Sequence, residues 1–466
     1  MAIDVSGFEI TRASSGGNRR SQGQARLNHI LAMGLIAFLF LAPIPLGANR
    51  PIFWAINAAL IGGGGIAYGI LMLWRRENFR VALSDIPVLT GLWALLCLYA
   101  VVQFIVPVST VFVAPGTQVV SSTLSIAPGS TLHSLIQFLT LAVFFFLVLQ
   151  VSANRERARF IAAALFWVIV AHAIYGLLAL TQFGDTVLFL EKWAYLGSAT
   201  GTFVNRNSYA TFMAFGLVLG TALAAQTVEK AANSRQIPIA NIMFLLVGLS
   251  FLIIALYSTQ SRMGLAAGLA GSVVVAIGFV IKLGRRQPRL SVLMVVLGVG
   301  LAIAMTVLFG SGTLDRLGSV EQSFDVRFAL YSQVIEMIAS RPLLGFGGGS
   351  FEAAFPLFHA LPVSPDLVWN KTHSTYLALW VEYGVIFGSI PLLVVLGIGL
   401  RCIQLVIRRK SDWVLPLASL GIIVTAALHS LVDFSLEMEA NALFFTALLA
   451  LGLAGVTQYG RRQKRQ

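Results

Sequence analysis

Twelve times along its 466 residues the chain runs for about twenty positions with almost no charge. A helix needs about 20 such residues to cross the roughly 30 Å hydrocarbon core of a bilayer, and it bonds all of its own backbone N–H and C=O groups while doing so. The runs fall near 29–48, 51–74, 86–106, 132–151, 158–182, 206–226, 239–257, 262–281, 290–310, 384–407, 413–430 and 441–458. Only 11% of the residues are charged, against about a quarter in a water-soluble domain, and the mean hydropathy is +0.84. The expected fold is therefore an all-α polytopic membrane protein with about 12 transmembrane helices, its principal partner the lipid bilayer.

Orientation follows from the 32 Lys+Arg residues. With the N-terminus inside, 24 of them fall in the inner segments, in clusters such as Arg75, Arg76 and Arg80, or Arg408, Arg409 and Lys410. Shifting the register by one helix would reverse this bias, which is the recognised orientation signal. The same placement explains the net charge of +13 without nucleic acid. The expected division is a polar cytoplasmic tail over 1–28, helices one to nine over 29–310, a large outer loop over 311–383, helices ten to twelve over 384–458, and a basic cytoplasmic tail over 459–466. The first 28 residues lack an apolar core followed by a small-residue cleavage site, so they read as a retained tail rather than a signal peptide. Cys97 and Cys402 both fall in or at the end of membrane helices, and no disulfide framework is implied.

The outer segments carry structure of their own. The uncharged stretch 107–131, with Pro115-Gly116 and Pro128-Gly129, predicts a hairpin-like cap. The outer loop predicts an amphipathic helix over 326–340, stopped by Pro342, then a glycine turn from Gly345 to Gly349. Those glycines lack a following Lys-Ser/Thr, so they read as a turn that lets backbone approach another element, not as a nucleotide loop. The glycines at 62–65 predict close helix packing. The outer carboxylates form no evident metal set, and no metal or cofactor is expected.

Eight basic residues remain outside: Arg50, Lys192, Arg206, Arg262, Arg316, Arg327, Arg341 and Lys371. In Ser258-Thr259-Gln260-Ser261-Arg262 a serine can cap the eighth membrane helix, which Arg262 opens; Asp325 can cap the loop helix, with Arg327 in its first turn. A cation there opposes the helix dipole, and an anion bound between the two arginines reverses the sign. Guanidinium forks also suit phosphate. Arg262 can equally mark a membrane boundary, and Arg327 can pair with Asp325 or Glu336. His373, where polar loop turns into helix with Thr372 as a cap, is placed to be held neutral, as a general base must be; a histidine bonding loop carbonyls fits the position as well. His429 and Asp433 stand at i, i+4 spacing and can bond each other on one helix face in a structural role.

Four segments resemble the O-antigen ligase and Wzy polymerase superfamily. Gly201-Thr202-Phe203-Val204-Asn205-Arg206-Asn207-Ser208-Tyr209-Ala210 resembles its G-x-F-x-N-x-N-x-x-A element, and Ser261-Arg262 its serine-arginine motif. Arg327 through Arg341-Pro342-Leu343-Leu344-Gly345-Phe346-Gly347 resembles its arginine helix ending in P-x-x-G-x-G. Thr372-His373-Ser374-Thr375-Tyr376-Leu377 with Glu382-Tyr383-Gly384 resembles its H-N-x-Y-L…E-x-G element, Ser374 standing where asparagine is usual.

The resemblance implies a GT-C-like membrane glycosyltransferase of the bacterial inner membrane, metal-independent, with its active site on the periplasmic face and undecaprenyl-diphosphate-linked glycan as donor. Arg262 and Arg327 would bind the donor diphosphate, and His373 would be catalytic, activating the acceptor hydroxyl. Asn205, Asn207, Tyr376 and Glu382 would contact substrate, with a helix cap as the other reading of the asparagines. The leading expectation is a Wzy-type polymerase of exopolysaccharide or O-antigen, since the His429–Asn441 segment looks like that of exopolysaccharide-type members. A ligase acting on lipid A core or protein is the close alternative, with other polysaccharide-assembly proteins as partners. A transporter of an anion or glycolipid is the reading from a different class.

Overall fold

The computed structural model describes residues 17–114, 117–234, 238–283 and 317–454. Its helices are α1 (Gly17–Leu41), α2 (Pro51–Trp74), α3 (Pro87–Ile105), α4 (Pro128–Ser152), α5 (Arg155–Thr181), α6 (Arg206–Ser234), α7 (Ile239–Ser258), α8 (Arg262–Leu283), α9 (Leu317–Ser340), α10 (Phe351–Ala354), α11 (Thr375–Gly388), α12 (Ile390–Arg408), α13 (Val414–His429) and α14 (Glu439–Gly452). Among the described residues nine, α1 to α8 and α12, are long and apolar enough to cross a bilayer, and the apolar α13 and α14 are shorter. The protein is thus an all-α polytopic membrane protein. The run expected over 290–310 lies outside the described residues, as do the ends of both tails.

Local chemistry sets most boundaries. Prolines open α2, α3 and α4, where the missing N–H costs nothing and the fixed φ suits a first turn. Asn154 caps α5, its side chain accepting from the Arg157 N–H at 2.9 Å. Three expectations need correction. The first run ends at Leu41, because Pro43 and Pro45 cannot continue the hydrogen-bond ladder. The tenth run begins at Ile390: Gly384 adopts φ 70°, ψ 167° and breaks the chain direction inside α11. The loop helix begins at Leu317, well before residue 326.

The centre of the bundle is α6, α8 and α13, held at backbone distance by small residues. A Cβ on Gly268 would sit 2.9 Å from that of Ala214, and one on Gly271 would sit 2.5 Å from the Gly421 carbonyl oxygen. Such contacts replace the hydrophobic drive that is absent between helices in lipid. The Gly62–Gly65 run does less of this than expected. Only Gly65 meets a neighbour, Val143 of α4, while Gly62, Gly63 and Gly64 face open space.

The connections gather at two ends. At the basic end Arg155 and Arg159 both reach Asp412, and Trp413 donates to Glu229 at 3.0 Å. At the loop end β1 (Thr110–Ala114) and β2 (Thr117–Ser121) pair antiparallel as the cap foreseen over 107–131, its Pro115-Gly116 tip lying outside the described residues. Phe112 of this hairpin joins Leu330, Val334 and Met337 of α9 and Phe346, Phe351 and Phe355 in a small second core. The three α9 residues recur at helical spacing, so one face of that helix covers the loop.

The glycine turn clamps this layer to α11. Gly345, Gly347 and Gly349 all have positive φ, and a Cβ on Gly345 would lie 2.5 Å from the Glu382 carbonyl oxygen. The Phe346 and Gly347 N–H groups donate to the Val381 and Glu382 carbonyls at 2.8 and 2.9 Å, and the Val385 N–H donates to Pro342 at 2.7 Å.

Candidate functional site

Three helix ends meet at the loop end: the starts of α6 and α8 and the finish of α13. The Asn205 side chain accepts from the Asn207 N–H at 2.7 Å, which makes Asn205 the cap of α6. Asn207 instead reaches across, donating from Nδ2 to Asp433 Oδ2 at 3.1 Å. The serine that turns toward the α8 N-terminus is Ser261, its Oγ accepting from the Gly264 N–H at 3.3 Å, while the Ser258 hydroxyl bonds back to Ile254 within α7. Arg262 is the first residue of α8 and is exposed. Arg327 is half-buried inside α9, not in its first turn, so a helix dipole bears on Arg262 but not on Arg327. Neither arginine makes an ion pair among the described residues.

His373 faces Arg327. Its backbone is left-handed (φ 57°), a strained state for a non-glycine residue, and its carbonyl is fixed by the Tyr331 hydroxyl at 2.9 Å. The ring stands edge-on to Phe434 at 5.2 Å and to Trp369 at 6.1 Å, and its nitrogens take no hydrogen bond from the described residues. Burial pulls its pKa below the ordinary value; the Asp433 carboxylate opposes this and the Arg327 charge adds to it. The neutral imidazole is the favoured form.

Asp433 is the residue that sequence reasoning undervalued. The turn of α13 stops at His429, so Asp433 does not share a helix face with it. The two are joined through Ser435, whose hydroxyl bonds Asp433 Oδ1 and lies 3.3 Å from His429 Nδ1. His429 Nδ1 also meets the Thr211 hydroxyl at 2.6 Å. Asp433 thus stands between His373 and a buried polar chain anchored on α6. Its i, i+4 spacing from His429 pointed to the pair, but not to what Asp433 faces.

Tyr376 and Glu382 lie elsewhere. The Tyr376 hydroxyl donates to the Ala427 carbonyl at 2.9 Å. Glu382 borders a cavity of about 1350 Å³ between α2, α3, α4, α11, α12 and α14, where Lys371 pairs with Glu437 at 2.6 Å. Burial and the nearby Glu437 push the Glu382 carboxyl up to about 7, against the pull of the Gly349 and Phe351 N–H groups that it accepts from and of Lys371. Burial works to lower the Lys371 pKa, but Glu437, with Glu382 and Glu352 behind it, holds the ammonium above the ordinary lysine value. A short wall, 371–375 against 433–438, separates the two places: Lys371, Thr375 and Glu437 border the cavity, whereas His373 and Asp433 face Arg327. Among the described residues no group of three or more His, Cys, Asp or Glu is arranged to hold a metal ion.

Residues 247–392 match the model of the O-antigen ligase family. Over this segment the chain is similar to the O-antigen ligase family, in line with the resemblance that its motifs carry. The matched stretch runs from within α7 to the first residues of α12 and contains Arg262, Arg327, His373, Tyr376 and Glu382; Asn205 and Asn207 precede it. No curated protein matches the chain. The match supports a membrane enzyme of the glycan ligase and polymerase type in the broad sense.

Proposed function

We propose that the protein transfers an undecaprenyl-diphosphate-linked glycan to a sugar hydroxyl on the periplasmic face of the bacterial inner membrane, as a Wzy-type exopolysaccharide or O-antigen polymerase. The observation that carries the reading is the setting of Arg327 and His373. Both lie within the O-antigen ligase segment, the Arg327 charge acts on the imidazole, and neither makes a side-chain hydrogen bond or ion pair among the described residues. In the reaction the acceptor oxygen bonds to the anomeric carbon, the carbon–oxygen bond to the lipid diphosphate breaks, and the hydroxyl proton passes to His373. The departing diphosphate gains negative charge, which Arg262 and Arg327 bind; fixed charge at a developing anion is commonly the largest single contribution to such catalysis. No step requires a metal. Asp433 stabilises the imidazolium once it forms, and Asn207 and Ser435 hold that carboxylate.

The family description itself favours a second reading, a ligase that moves finished glycan onto lipid A core or protein. The test is glycan analysis after deletion of the gene. Single repeats left on the lipid carrier support the polymerase; full-length chains left on it support the ligase; intact glycans with a lost uptake function would overturn both. Complementation with Arg262→Ala, Arg327→Ala or His373→Ala is expected to restore insertion of the protein but less than about 1% of glycan joining, as for loss of a group that acts only in the transition state. Full activity in all three would remove the site assignment.

A further inference from the structure

The connection between α5 and α6 brings to the site an aromatic side chain that no motif singles out. Within it β3 (Thr186–Val187) and β4 (Leu190–Glu191) pair antiparallel, and the residues after them are tied down from two sides. Asp185 pairs with Lys192 and accepts from the Gly197 N–H at 2.7 Å, while Lys192 also donates to the Ser198 carbonyl at 2.7 Å. Toward the turn that precedes Arg262, the Ala199 N–H donates to the Ser258 carbonyl at 2.7 Å and the Gln260 side chain to the Gly197 carbonyl at 3.0 Å. Between these bonds Tyr195 is held in a left-handed backbone state (φ 59°). Such strain persists only where the surroundings enforce it, and it clusters at ligand sites. Here it turns the ring inward. Trp193 and Leu196 are 62% and 70% exposed, whereas Tyr195 is 37% exposed, with the Arg206 guanidinium 5.5 Å from its ring centroid.

Three charges act on the Tyr195 phenol. Burial raises its pKa and Asp433, the strongest of the charges, adds to this, while Arg206 and Arg327 oppose them. The hydroxyl therefore keeps its proton and can donate, and it makes no hydrogen bond among the described residues. Asp433 and Arg327 act on His373 as well. Tyr195 thus stands beside the place where the base and the anion-binding arginines converge. In glycan transfer that place belongs to the sugar that moves. Its anomeric carbon is joined to the diphosphate on the arginine side, and the hydroxyl attended by His373 approaches it from the other. The diphosphate is a poor partner for this phenol, because Asp433 repels an anion there. We propose that the Tyr195 hydroxyl hydrogen-bonds the donor's first sugar, the one joined to the diphosphate, and so helps to decide which sugar is accepted. A polar tip on a partly open ring suits a molecule with hydroxyls and an apolar C–H face. A site that bonds a substrate hydroxyl also rejects analogues that lack it, since its own polar group is then left unpaired. The inference rests on the glycan-transfer reading and deepens it.

The purified full chain in nanodiscs is loaded with fluorescent undecaprenyl diphosphate, which is then displaced by two unlabelled lipids. One is undecaprenyl diphosphate; the other is the same lipid carrying only the first sugar of the cell's own repeat. Wild-type protein should prefer the sugar-bearing lipid. Tyr195→Phe, which keeps the ring, should weaken that lipid by about 2- to 12-fold, as for loss of one hydrogen bond, and leave the bare lipid unchanged. Trp193→Ala, the exposed neighbour, should change neither. Equal weakening of both lipids by Tyr195→Phe would make the hydroxyl a phosphate contact and overturn the proposal. So would a loss seen in Tyr195→Ala but not in Tyr195→Phe, which would mean packing alone, or no loss in either. Glycan transfer is assayed separately on the full repeat. The expected binding pattern without any transfer would keep Tyr195 as a sugar contact and overturn the reaction; wild-type protein that binds neither lipid would overturn both.

Discussion

At His373, burial and the Arg327 charge act in one direction and the Asp433 carboxylate in the other. Its net shift is downward, so the neutral base persists below the usual histidine range, and the acid limb of kcat/KM should fall below about pH 6.5. Asp433→Asn removes the one influence that raises the pKa, so the limb should move to still lower pH while kcat drops by about 10- to 100-fold for want of a counter-charge to the imidazolium. A pH–rate profile of the two proteins checks this, and an acid limb that moves upward would be inconsistent with the assignment. The same lowered pKa acts on stability. The unfolded chain binds more protons between the two pKa values, so His373 contributes stability that is complete above the unfolded value of about 6.5 and is lost as pH falls through the folded one. In the sequence the two arginines stand out because few cations lie outside the inner clusters, and His373 because it sits where polar loop turns into helix. The place of Asp433 was not, since it depends on where α13 stops and on the Asn207 side chain that reaches across to it.

At the scale of elements, the glycine turn and α11 form one unit, each meeting the other's backbone. Gly345 and Gly384 both have positive φ, and a Cβ on Gly384 would lie 2.3 Å from the Leu343 carbonyl oxygen. Gly345→Ala and Gly384→Ala should each destabilise the protein by more than about 2 kcal/mol, joining backbone strain to a clash with an atom that cannot move alone. Gly64→Ala, in a helix with open space around it, should be neutral or slightly stabilising. Thermal unfolding in detergent measures all three, and equal midpoints would remove the clamp. This unit shows where sequence reading stops. The glycines announced a tight turn, and hydropathy announced a membrane run from 384 onward, but the break at Gly384 leaves hydropathy unchanged. Likewise the start of α9 at Leu317 is invisible to an amphipathic pattern that sharpens only once Leu330, Val334 and Met337 meet their core.

For the whole molecule, the runs of apolar sequence translated well into helices because a bilayer demands one kind of solution, whereas the packing of those helices did not, since it depends on which small residues face each other. The loop-end connections contact one another, and so do the basic-end connections, which leaves one question of sidedness for the entire chain. Twenty-four of 32 basic residues segregate to one set of segments, and moving these across the membrane is strongly disfavoured. The basic end should therefore face the cytoplasm and the end bearing Arg262, Arg327 and His373 the periplasm. Asp366 and Ser411 are exposed at the two ends. In a background of Cys97→Ala and Cys402→Ala, Asp366→Cys should react with a membrane-impermeant maleimide added to intact spheroplasts, and Ser411→Cys should react only after the membrane is opened. The reverse pattern would put the candidate site beside cytoplasmic nucleotide sugars and refute a donor presented on an exported lipid. Labelling of both positions in intact spheroplasts would instead mean that the described bundle does not seal the bilayer, and the sidedness argued from the basic clusters would lose its footing.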